Sequence, residues 1–316
     1  MLKTEILGID VGGGGIKAAI VDVHSGAWRM KTGDWLTMEK VDNGEYPTDL
    51  DKDKLWFEIG IDRNAPKPTP KEIRKIIEKI VAHYEWKGII GLGFPAIVLN
   101  GIVKSASNIH QNWLDIHLPT FLSKNLPDVS IAAINDADAA GIGEMSFGSG
   151  RGKDGVALVL TVGTGIGSAL FIDGRLVPNT EFGHFYIKID KDKYGKECEL
   201  AEDFASSFAK KQADINWRTW GAERFKEYLR CMQRLLSPES VIVGGGASKD
   251  HRFNKYEPEL NDTQFDELYA QKYKTDGRAK IEMEILPARL RNYAGLIGAA
   301  VGAKSLGDLQ NMTQEV

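Results

Sequence analysis

The sequence predicts a two-lobed α/β protein, and three observations carry that expectation. The chain has 316 residues, more than one compact core usually holds. Its 34 glycines, well above an average of roughly 7%, crowd into a few patches. A strand, a glycine-rich turn and a returning strand occur once in each half. Glycine costs chain entropy and weakens regular structure, so its clustering at strand ends points to backbones that must approach a ligand closely.

In the first half, Glu5–Asp10 reads as a strand, Gly12 to Gly15 as a tight turn, and Ile16–Val23 as the returning strand. Residues 24–54 are polar around islands of tryptophan and suggest a further strand plus a surface loop. Thr69-Pro70-Lys71-Glu72 is a helix start, with Thr69 as N-cap, Pro70 at the first helical position and Glu72 closing a capping box. Ile73, Ile76, Ile77, Ile80, Val81 and Tyr84 follow at helical spacing. Ile89–Phe94 and Val129–Ile134 read as buried strands, the second leading through Asn135-Asp136 into a helix over 137–147. In the second half, Val156–Val162, Gly163-Thr164-Gly165 and Ile166–Ile172 repeat the pattern, and Asp173-Gly174 closes the next hairpin. Helices are expected over 199–213 and 217–236. A short strand, Val241–Val243, opens into Gly244-Gly245-Gly246. A last helix, Ala294–Ser305, carries small residues that permit close packing.

Composition excludes several classes of function. Forty Lys and Arg against 44 Asp and Glu leave a net charge of −4, which argues against a protein whose main task is binding nucleic acid or anionic lipid. Two cysteines exclude a disulfide scaffold and fit a reducing compartment. No run approaches the roughly 18 apolar residues of a membrane span, and nothing near Met1 reads as a signal peptide. The expectation is a cytoplasmic protein without nucleic-acid or membrane partners.

The glycine turns narrow the chemistry further. The first patch lacks the last glycine of a dinucleotide fingerprint, and a strand follows it where that motif needs a helix. No Gly-Lys-Ser/Thr is present for a Walker loop. What remains is a hairpin turn whose bare N–H groups can wrap phosphate oxygens. Asp10, just before it, could hold a magnesium ion through water, and Lys17, just after it, supplies positive charge.

Five motifs occur in order: Ile9-Asp10-Val11-Gly12-Gly13 with Lys17; Asn135-Asp136-Ala137-Asp138-Ala139-Ala140; Thr161-Val162-Gly163-Thr164-Gly165-Ile166-Gly167; Glu181-Phe182-Gly183-His184; and Gly244-Gly245-Gly246. Over about residues 5 to 302 the chain resembles the ROK-type sugar kinases. Asn-Asp-Ala-Asp-Ala-Ala, Ser105-Ala106-Ser107-Asn108-Ile109 and the tryptophan-rich helix before Pro238 are similar to its polyphosphate glucokinase branch. The resemblance implies the two-lobed actin-like ATPase and hexokinase fold, related to ribonuclease H, with a cleft between the lobes. The first lobe is expected over residues 1–138, with the C-terminal helix 294–316 packing back on it, and the second over 139–293.

The same resemblance implies phosphoryl transfer from polyphosphate, ATP or both to the 6-hydroxyl of glucose, with Asp136 as general base. Asn108, Asn135, Glu181 and His184 match the family's sugar contacts, and Gly93 and Ala96 would line the cleft. The phosphate and nucleotide groups would be Asp10, Gly12, Gly13, Gly14, Gly15, Lys17, Thr161, Gly163, Thr164, Gly165, Gly244, Gly245 and Gly246. Magnesium is expected with the donor, and a homodimer is the family expectation. Many members carry a zinc cluster of closely spaced cysteines after the Gly-His. Here only Cys198 follows, so no structural zinc is expected.

Other readings of these residues remain. An Asn-Asp pair at a strand end can serve as a helix cap, with Asp138 the competing carboxylate and the preferred cap. Arg151, Lys153, Lys249, Arg252 and Lys255, beside glycine patches, are candidates for a donor groove, although loop cations are usually solvated surface. An ATP-dependent kinase for another hexose or an amino sugar is the alternative activity. A sugar-responsive repressor would need a DNA-binding segment before the first hairpin, whose first strand begins by residue 5. A filament-forming actin relative is a further option.

Overall fold

The computed structural model describes residues 4–12, 15–29, 34–43, 56–57, 67–107, 109–260 and 283–314. The chain divides into two compact units, one of Met1–Arg151 with Asn292–Val316 and one of Gly152–Arg291. The expected division after residue 138 falls inside the helix Asp136–Phe147, which lies wholly in the first unit because its small residues pack against the C-terminal helix.

The first unit contains β1 (Glu5–Gly12), β2 (Gly15–Asp22), β3 (Trp28–Arg29), β4 (Trp56–Phe57), β5 (Gly88–Phe94), β6 (Val98–Leu99), β7 (Ile102–Val103) and β8 (Val129–Asn135). Its main sheet has the order β3-β2-β1-β5-β8, with β4 also paired to β2. The β1–β2 and β2–β3 pairs are antiparallel, while β1–β5 and β5–β8 are parallel. Six consecutive residues of β1, Ile6–Val11, are buried, as expected of a strand covered on both faces.

Strand alternation sorts those residues onto two faces. Leu7, Ile9 and Val11 join the cluster formed with Ile73, Ile77 and Ile80 of the helix Pro70–Tyr84. That helix starts as its sequence implies, with the Glu72 carboxylate accepting the Thr69 N–H at 2.8 Å. At its other end the Tyr84 hydroxyl donates to the Ala18 carbonyl at 2.9 Å. The alternate residues Gly8 and Asp10 pair in register with Gly91 and Gly93 of β5. Here the helix Ala294–Gln314 lies directly on backbone. A Cβ at Gly8 would run into the Leu296 carbonyl oxygen, and one at Gly91 into that of Ala299. The helix extends to Gln314 rather than ending at Ser305.

The second unit contains β9 (Val156–Val162), β10 (Ile166–Ile172), β11 (Arg175–Val177), β12 (Tyr186–Lys188), β13 (Cys198–Leu200), β14 (Ser240–Gly245) and β15 (Glu284–Pro287). Its main sheet runs β11-β10-β9-β14-β15. Two antiparallel pairs are again followed by two parallel ones. Asp173 and Gly174 at the β10–β11 turn both have positive φ, 50° and 73°, the conformation that makes Asp-Gly a hairpin turn. The core joins Leu158, Leu160 and Val162 to Trp220, Phe225, Tyr228 and Tyr256.

Two helical expectations require correction. The helix anticipated over 199–213 is interrupted at Ser206, whose extended backbone ends Ala201–Ala205 and caps Ser207–Gln212 through its side chain. The one over 217–236 passes through a wider π turn at Gly221–Phe225. A Cβ at Gly221 would lie 2.5 Å from the Tyr256 Cβ, so this turn lets the chain pass close to that ring. In the polar segment 24–54, the structure shows β3 and the short helix Met38–Asp42; residues 30–33 and 44–54 lie outside the described residues.

Candidate active site

In the first unit the chemistry gathers where β1, β5 and β8 end. Asp10, Gly93 and Ile134 are neighbours across the sheet, and Asn135 follows as the register partner of Phe94. Asp10 is buried, and its Oδ2 accepts a hydrogen bond from Lys17 Nζ at 3.2 Å. A Cβ on Gly93 would lie 3.6 Å from both Asp10 Oδ1 and the Asp136 Cα. The two acidic residues therefore flank one side-chain-free stretch of backbone. Gly295, on the first turn of the C-terminal helix, meets the other side of the Asp10 carboxylate, where a Cβ would lie 2.7 Å from Oδ2.

Asn135 is the cap of the helix Asp136–Phe147. Its Oδ1 accepts the N–H groups of Ala137 and Asp138 at 2.8 and 3.0 Å, and its Nδ2 donates to the Ala96 carbonyl at 3.1 Å. Asp138, the cap expected from sequence, already lies within the first helical turn and is buried, so the capping role passes to the last strand residue. Asp136 is half-buried, and its Oδ1 accepts the Ala137 N–H at 2.9 Å. Asn135 thus ties the 93–96 turn to the helix start, and Asp136 projects from that joint. Of the other predicted groups here, Gly12 and Gly15 pair across the hairpin end. Gly13, Gly14 and Asn108 lie outside the described residues.

The second unit assembles two of its glycine turns side by side. Parallel pairing of β14 with β9 sets Gly244 beside Thr161 and Gly245 beside Val162. Gly245 has φ of 71° and packs on the Val162 backbone. The helix Ser207–Gln212 starts at the same place, with Phe208 N–H donating to the Gly163 carbonyl at 3.1 Å and Ser207 Oγ to that of Val162 at 3.1 Å. Arg252 Nη1 donates to the Gly246 carbonyl at 2.7 Å.

Glu181 and His184 meet on the next loop. His184 Nδ1 lies 3.3 Å from Glu181 Oε2, and its Nε2 lies 3.6 Å from Glu202 Oε1. Glu202 was not anticipated. Its Oε2 fills the space where Gly165 has no side chain and accepts the Ile166 N–H at 3.3 Å. It thereby links the 163–165 turn to the imidazole. Its sequence signal is faint: an acid set between Ala201 and Ala205 on an otherwise apolar helical stripe, all three buried. Facing Glu202 raises the His184 pKa, with Glu181 adding to the effect against burial. Burial raises the Glu181 pKa despite the neighbouring imidazole. A histidine set between two carboxylates brings N–H donors on the imidazole and acceptor oxygens on Glu181 and Glu202 to one place, a combination that can hydrogen-bond a polyol.

Polyphosphate glucokinase from Mycobacterium tuberculosis (strain CDC 1551 / Oshkosh) is 32% identical over 94% of this chain and 90% of its own length. The ROK family profile matches residues 54–202. This chain belongs to the ROK family. Polyphosphate glucokinase from Mycobacterium leprae is 31% identical over 94% of this chain and 74% of that protein. Among solved structures, the inorganic polyphosphate/ATP-glucomannokinase of Arthrobacter sp. strain KM is 32% identical, with a TM-score of 0.70 over 96% of this chain and all of that one. A ROK glucokinase from Streptomyces griseus, 23% identical, shares the fold with a TM-score of 0.63 over 95% of this chain and 99% of that one. The fold is therefore the one expected for a ROK sugar kinase, and among the described residues no helix is long and apolar enough to cross a membrane.

Among the described residues no group of three or more His, Cys, Asp or Glu is placed to hold a metal ion. A divalent ion accompanying a phosphoryl donor does not require one. Magnesium commonly takes one or two carboxylates and completes its shell with water and substrate phosphates. The Asp10 carboxylate, with side-chain-free Gly12 and Gly93 beside it, is a hard oxygen donor of that type.

Proposed function

We propose that this ROK enzyme transfers the terminal phosphoryl group of polyphosphate, ATP or both to the 6-hydroxyl of glucose. The observation that carries the proposal is the pair Asp10 and Asp136, set on either side of Gly93 at the ends of parallel strands, where open α/β sheets bind ligands. The relatedness to polyphosphate glucokinases over most of the chain supports the substrate and the donor.

In this reading Asp136 is the general base. Its carboxylate takes the hydroxyl proton as the sugar oxygen bonds to the terminal phosphorus, and the bridging P–O bond breaks to release a shortened polyphosphate or ADP. The Ala137 N–H bonded to Oδ1 fixes the plane of the carboxylate. Asn108, Asn135, Glu181, His184 and Glu202 bind sugar hydroxyls. Desolvated polar groups of this kind discriminate strongly against a ligand that lacks the matching hydroxyl. Lys17 and the amides of the turns at 12–15, 163–165 and 244–246 cradle donor phosphates. Asp10 would hold magnesium through water, and the ion, when bound, neutralises charge on the phosphate oxygens.

The test is a panel of sugars crossed with donors on the wild-type enzyme. Glucose, mannose, fructose and N-acetylmannosamine would each be assayed with long-chain polyphosphate and with ATP. The highest kcat/KM is expected for glucose, with turnover from polyphosphate. Preference for an amino sugar, or no turnover of glucose with either donor, would overturn the assignment.

A further inference from the structure

The second unit also carries a pocket of ≈ 860 Å³ lined by Lys210, Asn216, Trp217, Arg218, Lys255 and Glu259, among others. Two short routes lead to it from the glycine turns. The helix Ser207–Gln212, anchored to the Gly163 carbonyl through Phe208 N–H, places Lys210 Nζ 5.0 Å from the centre of the Trp217 ring. Arg252, held by the Gly246 carbonyl, places its guanidinium carbon 5.2 Å from the same centre. Trp217 is also ordered by its neighbours, with Trp220 edge-on at 5.1 Å and Tyr256 tilted at 6.2 Å.

We propose that this pocket is a distal subsite for the polyphosphate chain, receiving phosphates beyond those held at the glycine turns. The proposal rests on the donor reading above and extends it. Trp217 here acts as a fixed platform for cations: both Lys210 and Arg252 approach the ring within the range of a cation–π contact. That arrangement orders two positive side chains which would otherwise sample many rotamers. Lys255 adds a third on the pocket wall. The acid present, Glu259, is engaged by Arg218 at 2.6 Å, so its charge is compensated locally.

The chemistry suits a repeating anion better than a purine. A nucleobase needs an aromatic face or an apolar slot, whereas this ring is engaged by cations. A polyphosphate carries negative charge on each unit and gains by releasing counterions to a row of Lys and Arg. The mildly negative net charge of the whole chain makes such a local cluster the more selective.

The experiment compares wild type with Lys210→Ala/Lys255→Ala and with Lys210→Arg/Lys255→Arg, measuring KM for long-chain polyphosphate and for ATP at several salt concentrations. For the alanine pair, the KM for long-chain polyphosphate should rise roughly tenfold, the value of about one charge-assisted contact. The KM for ATP should rise less than about threefold, and the salt dependence of polyphosphate binding should flatten. The arginine pair should retain most of the polyphosphate affinity. Trp217→Leu, with turnover from ATP as the check on folding, should also weaken polyphosphate selectively. Equal losses for both donors would make the pocket a nucleotide site, and unchanged polyphosphate affinity would remove the subsite; either result overturns the inference alone. A wild-type enzyme that phosphorylates glucose from ATP but never from polyphosphate would overturn the donor reading itself.

Discussion

The two units build the same sheet, two antiparallel pairs followed by two parallel ones, but they cover it with opposite materials. In the first unit the C-terminal helix meets the strands through glycine and alanine, so that helix carbonyls approach Gly8 and Gly91. In the second unit aromatic rings do the covering. Trp220 stacks on Phe225 with centroids 4.6 Å apart and planes 14° from parallel, and Tyr256 meets Trp220 edge-on at 5.0 Å. Close backbone packing lets the first unit set Asp10 against Gly295 and Asp136 beside Gly93. Aromatic packing gives the second a rigid base for two glycine turns and for Trp217. One topology thus supports two arrangements, two acidic residues beside Gly93 in one unit and adjoining glycine turns at Gly163 and Gly245 in the other.

The sharpest way to break this contrast is to add a side chain where the first unit has none. A Cβ at Gly298 would collide with the Ala139 carbonyl oxygen and lie 2.6 Å from the Gly143 amide nitrogen. Both are backbone atoms that cannot rotate away. Gly298→Leu should exceed the ~3 kcal/mol usual for overpacking and yield little folded protein, read by circular dichroism and soluble yield. A Gly298→Leu protein with near-normal melting would refute the close-packing account.

A smaller effect is expected from removing bulk in the second unit. Trp220 is fully buried, and its indole N–H donates to the Ala205 carbonyl at 3.1 Å. Trp220→Ala should cost about 3–5 kcal/mol from lost burial and cavity formation, measured by denaturant unfolding. A loss under 1 kcal/mol would mean that the ring cluster does not hold the unit together.

Smallest is an electrostatic change that leaves packing alone. Glu202 is the main cause of the raised His184 pKa. The stability contributed by protonated His184 is fully present below the unfolded value of 6.5 and is lost as pH rises through the higher folded value. Glu202→Gln should therefore lower the His184 midpoint, followed by NMR of the imidazole protons, and move that window to lower pH. An unchanged midpoint would contradict the two-carboxylate clamp.

Much of this contrast is legible in the sequence, and the reasons for the exceptions are physical. Strands and glycine turns show because β-branched runs and Gly clusters are local signals. The Pro70–Tyr84 start shows because a capping box lies within four residues. The series Gly295, Gly298 and Gly302 announces close packing, though not against what. Glu202 escapes because its role depends on a contact with Gly165, 37 positions earlier in the chain. Asp138 misleads because an acid near a helix start suits a cap, while Asn135, one residue before the helix, has the geometry. The breaks at Ser206 and at Gly221–Phe225 escape because tertiary packing against the 163 turn and Tyr256 overrides helical periodicity.

The most direct test of the central claim is Asp136→Asn, a nearly isosteric change that removes the base and keeps the side chain's shape. Glucose affinity, measured by calorimetry, should stay within a few-fold of wild type, while kcat falls by roughly 10²–10⁴-fold with either donor. Turnover at the wild-type rate in that variant would show that the proton leaves the sugar by another route and that Asp136 is only part of the helix start.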